Sequence, residues 1–208
     1  MNKELAEPGA IKSAFTTICP KNHGAIKLDK GVTLAKGRVH EVQGDSAEMF
    51  ALIVAATLTG PLFWIGQGHD IGSLTPTGMQ SFVDPARLVL ITGITRQEIL
   101  WAGEQALRAE GVRCVVIELQ QGPDLKESRR LQIACEESGA VGIILIKGRA
   151  HTSAADTRWQ CHAARDHDMA WQWRCVKNKK GKTGTWAVTW RGGLDGPNTV
   201  HMATATAA

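Results

Sequence analysis

The chain has 208 residues, 43% of them hydrophobic, and a net charge of +4, which suits one domain of ordinary size with a real core. No apolar run reaches the ~18 residues of a membrane span, and the residues after Met1 lack the apolar stretch of a secretory leader. The cysteines Cys19, Cys114, Cys135, Cys161 and Cys175 are odd in number and form no Cys-x-x-Cys pair, so a cytoplasmic protein with reduced thiols is expected.

The charge is uneven. Residues 147–191 hold 10 basic and 3 acidic residues, whereas residues 1–146 hold 14 basic and 16 acidic. A basic final third points to an anionic partner, nucleic acid first, or to no more than a solvated surface.

Residues 1–31 carry Pro8, Gly9, Pro20 and Gly24 and predict an irregular arm, with one short helix near Ala10–Thr17. Residues 32–43 predict the first core strand region, ended by Gly44. Asp45 stands three residues before Glu48, a capping-box spacing, and the apolar run after it predicts a helix over Asp45–Leu58. Gly60-Pro61 breaks that helix, and Leu62–Ile65 has the length of a buried parallel strand. Gly66–Pro76, with His69 and Asp70, is a loop, and Pro76 to Phe82 allows one helical turn.

Arg87–Thr92 is the next strand. Thr95 and Glu98 form a second capping box, followed by Ile99, Ala102, Ala106 and Leu107 at helical spacing. Gly111 suits a helix end. Arg113–Leu119 is a β-rich apolar run. Asp124 and Glu127 are a third cap pair, Leu125, Ser128, Leu131 and Cys135 mark a helix face, and Gly139 closes it. Val141–Ile146 is another buried strand. Strand and helix thus alternate over residues 32–146, which predicts a parallel sheet with helices on both faces.

After residue 150 the pattern changes. Thr157–His162 and Ala170–Val176 predict strands, and Trp186, Val188 and Trp190 alternate with Thr185, Ala187 and Thr189. The basic turn Lys177–Gly184 joins them as an antiparallel hairpin. Gly192–Ala208 is small and polar and predicts a flexible tail. The domain boundaries expected are therefore an arm at 1–31, a core at 32–191 and a tail at 192–208.

Strand, glycine turn and helix at residues 37–58 is the setting of a phosphate loop. That loop needs Gly, four residues, then Gly-Lys and Ser or Thr. Counted from Gly44, those positions hold Met49, Phe50 and Ala51. Phe50 supplies no charge for phosphate and Ala51 no hydroxyl for Mg²⁺. The acidic residue on the strand Val115–Leu119 is Glu118. Gly44, Asp45, Ser46 and Glu118 are therefore a degenerate nucleotide site, with no catalytic residue, no metal and no cofactor expected. Gly181-Lys182-Thr183-Gly184 lies in a turn with no helix behind it. His151, Cys161, His162, His167 and Cys175 cluster in sequence but match no zinc-module spacing. Arg149, Arg158, Lys177, Lys179, Lys180 and Lys182 are candidates for contact with DNA or a protein partner. The interleaved Trp171, Trp173, Trp186 and Trp190 serve either base stacking or the hairpin's core face.

Four segments resemble the ImuA family within the RecA superfamily: Leu34–Gly44; Asp84–Leu90 with Ile99–Ala102; Ser128–Ala134 with Ser138-Gly139 and Ser153–Trp159; and Val176–Lys179. The resemblance covers residues 32–191. It implies an α/β fold, a RecA-like three-layer core with a mostly parallel central sheet and a C-terminal antiparallel hairpin extension. It implies an accessory protein of SOS-induced translesion synthesis, cytoplasmic and nucleoid-associated during DNA damage. The partners implied are an ImuB-like Y-family polymerase homologue, an error-prone replicative-type DNA polymerase and RecA, with DNA contact open and no membrane. It also implies that Lys177 and Lys179 face a neighbouring protomer's nucleotide. A SulA-like inhibitor of cell division and a residual ATP-binding protein are the alternatives; the basic hairpin Ala170–Arg191 argues against the former, whose chains stop before it.

Overall fold

The computed structural model describes residues 23–68, 74–164, 170–193 and 196–204. In chain order the elements are β1 (Ala25–Lys27), β2 (Thr33–Ala35), β3 (Val39–Gln43), α1 (Ala47–Ala56), β4 (Leu62–Gly66), α2 (Pro76–Met79), β5 (Leu88–Thr92), α3 (Arg96–Arg108), β6 (Cys114–Leu119), α4 (Leu125–Ser138), β7 (Val141–Ile146), β8 (Thr157–Ala163), β9 (Ala170–Asn178), β10 (Gly184–Gly193) and β11 (Gly196–Thr204). The expected helix near Ala10–Thr17, and His69 and Asp70, lie outside the described residues.

Nine strands form one sheet in the order β11-β10-β9-β8-β3-β7-β6-β4-β5. The six from β8 to β5 run parallel, and β9, β10 and β11 continue antiparallel. The mixed α/β architecture expected from the sequence is present. Its parallel strands β6 and β7 are buried along their whole length, as strands covered on both faces must be. One face carries α1, the turn of α2 and Phe82; the other carries α3 and α4.

Helix α1 is apolar on nearly every side, because the aromatic strands wrap it as well as the parallel sheet. Phe50 lies 5.5 Å from Trp159 and 4.7 Å from Trp173 between ring centroids. Trp190 stacks on Phe82 at 5.4 Å and donates from Nε1 to the carbonyl of Ser81 at 2.8 Å. The tryptophans thus form the core face of the antiparallel extension.

Two expectations need correction. Residues 192–208 were expected as a tail, yet β11 pairs with β10 from Trp186↔Thr204 to Gly193↔Gly196. Met202 is buried, Val200 packs partly against the same core, and the Met202 amide donates to Asp29 Oδ2 at 2.9 Å. Two apolar residues at period two, on a strand already offered an edge, outweigh a small polar composition. The arm also ends earlier than residue 31, since β1 pairs with β2 and buries Ile26.

Candidate functional site

Parallel α/β sheets bind ligands at the carboxyl ends of their strands, where successive crossovers leave to opposite faces. Here β3 leads to α1 on one face, while β7 leads to a loop whose Ala155 packs with α3 and α4 on the other. The β3–α1 turn, expected from the sequence as a degenerate nucleotide site, sits at this switch.

The turn from β3 to α1 is Gly44-Asp45-Ser46. Two amides at the start of the helix are bonded within the chain. The Ser46 N–H donates to Cys161 O at 3.2 Å and the Ala47 N–H to Gly44 O at 3.3 Å. Gly44 has φ +111°, and a Cβ there would lie 2.0 Å from the Cys161 carbonyl oxygen. The glycine is required by the approach of β8. Asp45 does not cap α1, as its spacing from Glu48 suggested. Ser46 is the N-cap residue and makes no side-chain cap bond. Asp45 Oδ1 instead accepts from the Ala163 N–H at 3.0 Å and the Ser46 hydroxyl at 3.0 Å. By contrast, the boxes Thr95/Glu98 and Asp124/Glu127 form reciprocally. The position of the phosphate-loop lysine, Phe50, lies inside α1 and is fully buried.

A lysine does stand near the switch, but from β7's end. Lys147 pairs with Glu48 on α1 and lies 3.5 Å from Glu118 Oε2 on β6. Burial raises the Glu118 carboxyl above the ordinary range, opposed by hydrogen bonding from Trp64 Nε1 and by the charge of Lys147. The cation is thus shared by two carboxylates of its own chain.

A cleft of about 490 Å³ opens beside this cluster, lined by Glu118, Gln121, Arg96, Glu127 and His151 among others. Arg96 occupies itself with Glu127 at 2.7 Å and the carbonyls of Gln121 and Gly122 at 2.8 and 3.1 Å. No group of three or more metal-ligating side chains gathers among the described residues. Cys161 and Cys175 face the core, and His167 is outside the described residues. The described cysteines are free and buried; burial pushes the Cys114 thiol up to about 12, so it is inert as a nucleophile.

The six basic candidates separate. Arg158 lies on β8, and its Nε donates at 2.7 Å to Glu41, a wholly buried carboxylate on β3. It also holds the carbonyl of His151. Lys177 Nζ donates to Ser153 O at 2.9 Å and Lys179 Nζ to Ala154 O at 2.5 Å. These three cations brace the loop between β7 and β8. Lys180 and Lys182 are exposed on the β9–β10 turn, where Asn178 Oδ1 accepts from the amides of Lys180 and Gly181 at 3.1 and 2.9 Å. Arg149 is exposed in the loop after β7, apart from that turn.

Two exposed arginines were missed. Arg174 and Arg191 point away from the tryptophan core on β9 and β10. Strand alternation was the signal that distinguishes them: each sits one place from an inward Trp.

Over 112 residues the chain is 32% identical to "Protein ImuA" of Caulobacter vibrioides, in strain NA1000 / CB15N and in strain ATCC 19089 / CIP 103742 / CB 15. The chain is similar to ImuA. The match takes in 49% of this chain and 45% of each relative, so it spans about half the length of the curated relatives. No family model matches the chain. The similarity to ImuA agrees with the resemblance read from residues 32–191.

Proposed function

We propose that this protein is a non-catalytic, ImuA-like accessory factor in SOS-induced error-prone translesion synthesis. The observation that carries the reading is the closed β3–α1 turn: three residues long, with the Ser46 and Ala47 amides bonded inward and Phe50 in the core. A phosphate cradle needs outward amides and an unshared cation, whereas Lys147 is held by Glu48 and Glu118. Similarity to ImuA supports the SOS-mutagenesis setting. Its partners in this reading are an ImuB-like Y-family polymerase homologue, an error-prone replicative-type polymerase and RecA.

Deletion of the gene tests the role. Loss of damage-induced mutagenesis with normal division is expected. Filamentation on overexpression with mutagenesis intact would favour a SulA-like division inhibitor instead. Titration with a fluorescent ATP analogue tests the site separately, and micromolar binding would overturn the reading of this turn as closed to nucleotide. For RecA, a pull-down compares the parent with Lys177→Ala/Lys179→Ala; equal capture would remove those lysines from the interface.

A further inference from the structure

Strands β9, β10 and β11 are covered on one face only. Trp171, Trp173, Val188, Trp190 and Met202 fill the inner face. On the other face Gln172, Arg174, Ala187, Thr189, Arg191 and Thr199 are exposed, and α3 and α4 pack against the parallel strands instead. On this outer face the exposed charged side chains among the described residues are Arg174 and Arg191, since Lys177 is held by the Ser153 carbonyl; the described residues of the three strands include no carboxylate. The register puts Thr185 opposite Arg174. Arg191 lies six residues further along β10, about 20 Å at ~3.4 Å per residue. Lys180 and Lys182 stand on the turn that ends the strip nearest Arg174. Thr189 lies between the arginines, exposed, as a hydroxyl donor, whereas the Thr199 hydroxyl donates to the Arg191 carbonyl at 2.8 Å.

We infer that this face binds the phosphodiester backbone of duplex DNA, through Arg174, Arg191, Lys180 and Lys182. Charge complementarity selects a polyanion: guanidinium groups on the sheet and ammonium groups on its turn, with no carboxylate partner among the described residues, suit phosphate oxygens. A protein partner fits less well. Interface centres are aromatic and apolar, and Val176 is the exposed large hydrophobic residue on this strip. Single strands fit less well too, because their binders add exposed aromatic side chains for the bases. Here the described tryptophans of β8 to β10 face inward. The contact is therefore to backbone and independent of sequence. The inference is independent of the adaptor reading, since it needs neither polymerase nor RecA.

The test is fluorescence anisotropy of the full chain with a labelled 30-base-pair duplex, the matching single strand, and polyglutamate as competitor. Micromolar duplex binding is expected at low salt. Four phosphate contacts give a log–log salt slope of about −3.6, so affinity should fall about a hundredfold from 50 to 200 mM salt. Arg174→Gln/Arg191→Gln should weaken duplex binding at least tenfold and flatten the slope by about 2. Lys126→Gln/Arg129→Gln, exposed on α4, should change neither. Both pairs are surface substitutions, and an unchanged thermal melt confirms folding. No duplex binding at 50 mM salt, tighter binding to the single strand, displacement by polyglutamate at equal charge, or equal losses in both variants would each overturn the assignment.

Discussion

Arg158 separates a structural cation from a DNA-binding one. Its partner Glu41 has no accessible surface and lies on the central strand β3, while the Arg158 side chain is 19% exposed. Glu41 Oε1 has no hydrogen-bond partner among the described residues, so Arg158 is the charge that compensates this carboxylate. Arg158→Ala leaves it buried and alone, which costs about 3–5 kcal/mol. Lys177, whose charge also reaches Glu41, places the loss at the lower end of that range. With ~2–4 °C lost per kcal/mol in a domain of this size, Tm should fall by roughly 10 °C. Removing both charges with Glu41→Gln/Arg158→Met should recover most of the loss, because paired removal avoids an orphaned ion. Urea denaturation of the parent, Glu41→Gln, Arg158→Met and the double variant gives the coupling energy. If Arg158→Ala costs less than about 1 kcal/mol, a size expected of an exposed pair, while abolishing duplex binding, then Arg158 is a contact residue and the reasoning fails.

Three further outcomes follow from the same region. Glu118 has a raised carboxyl pKa, chiefly through burial, so its ionisation opposes folding; the contribution of its protonated form is present below about pH 4.5 and is lost as pH rises through the folded value. Glu118→Gln keeps an acceptor for Trp64, and urea midpoints should show it matching or exceeding the parent at pH 7 but not at pH 4. His40 is buried, which lowers its pKa despite the carbonyl of Ala35; its contribution is present above about pH 6.5 and lost as pH falls toward the folded value. His40→Gln should flatten the loss of stability between pH 6.5 and 5, and an unchanged profile would remove His40 as its source. Gly44→Ala drives a methyl into the Cys161 carbonyl, and should cost more than about 3 kcal/mol; a melt within 2 °C of the parent would contradict the packing of β8 on the turn.

The parallel half of the fold was legible because its signals are local. Runs such as Val141–Ile146 match the observed strand, and two capping boxes lie within four residues of themselves. Asp45 shows where such signals fail. Its spacing from Glu48 is correct for a cap, but the Ala163 amide, 118 residues away, takes its carboxylate. The basic residues fail likewise. Arg158 and Arg174 look alike in sequence, yet one faces a buried acid on β3 and the other faces solvent. A bulge between Arg158 and Trp159 sets the register that places Lys177 opposite Arg158, and no composition window registers it. β11 was hidden because two inward residues suffice when a neighbouring edge supplies the hydrogen bonds.

Several independent features close the β3–α1 turn, and they oppose its conversion into a phosphate cradle. Replacing Phe50 by Lys would not restore a cradle. The new ammonium would stand between Trp159 and Trp173 in the core, where burying an unpaired charge is costly. Lengthening the turn would have to break the bonds from Ser46 to Cys161 and from Asp45 to Ala163, which fasten β8 and hence the antiparallel extension. Freeing Lys147 would leave Glu118, 2% exposed, without its cation. The first two repairs damage the packing that holds β8 to β11 in place, the strands that carry Arg174 and Arg191. The closed turn and the exposed basic face are therefore two consequences of one arrangement: β8 drawn against the start of α1, with the tryptophans turned inward behind it.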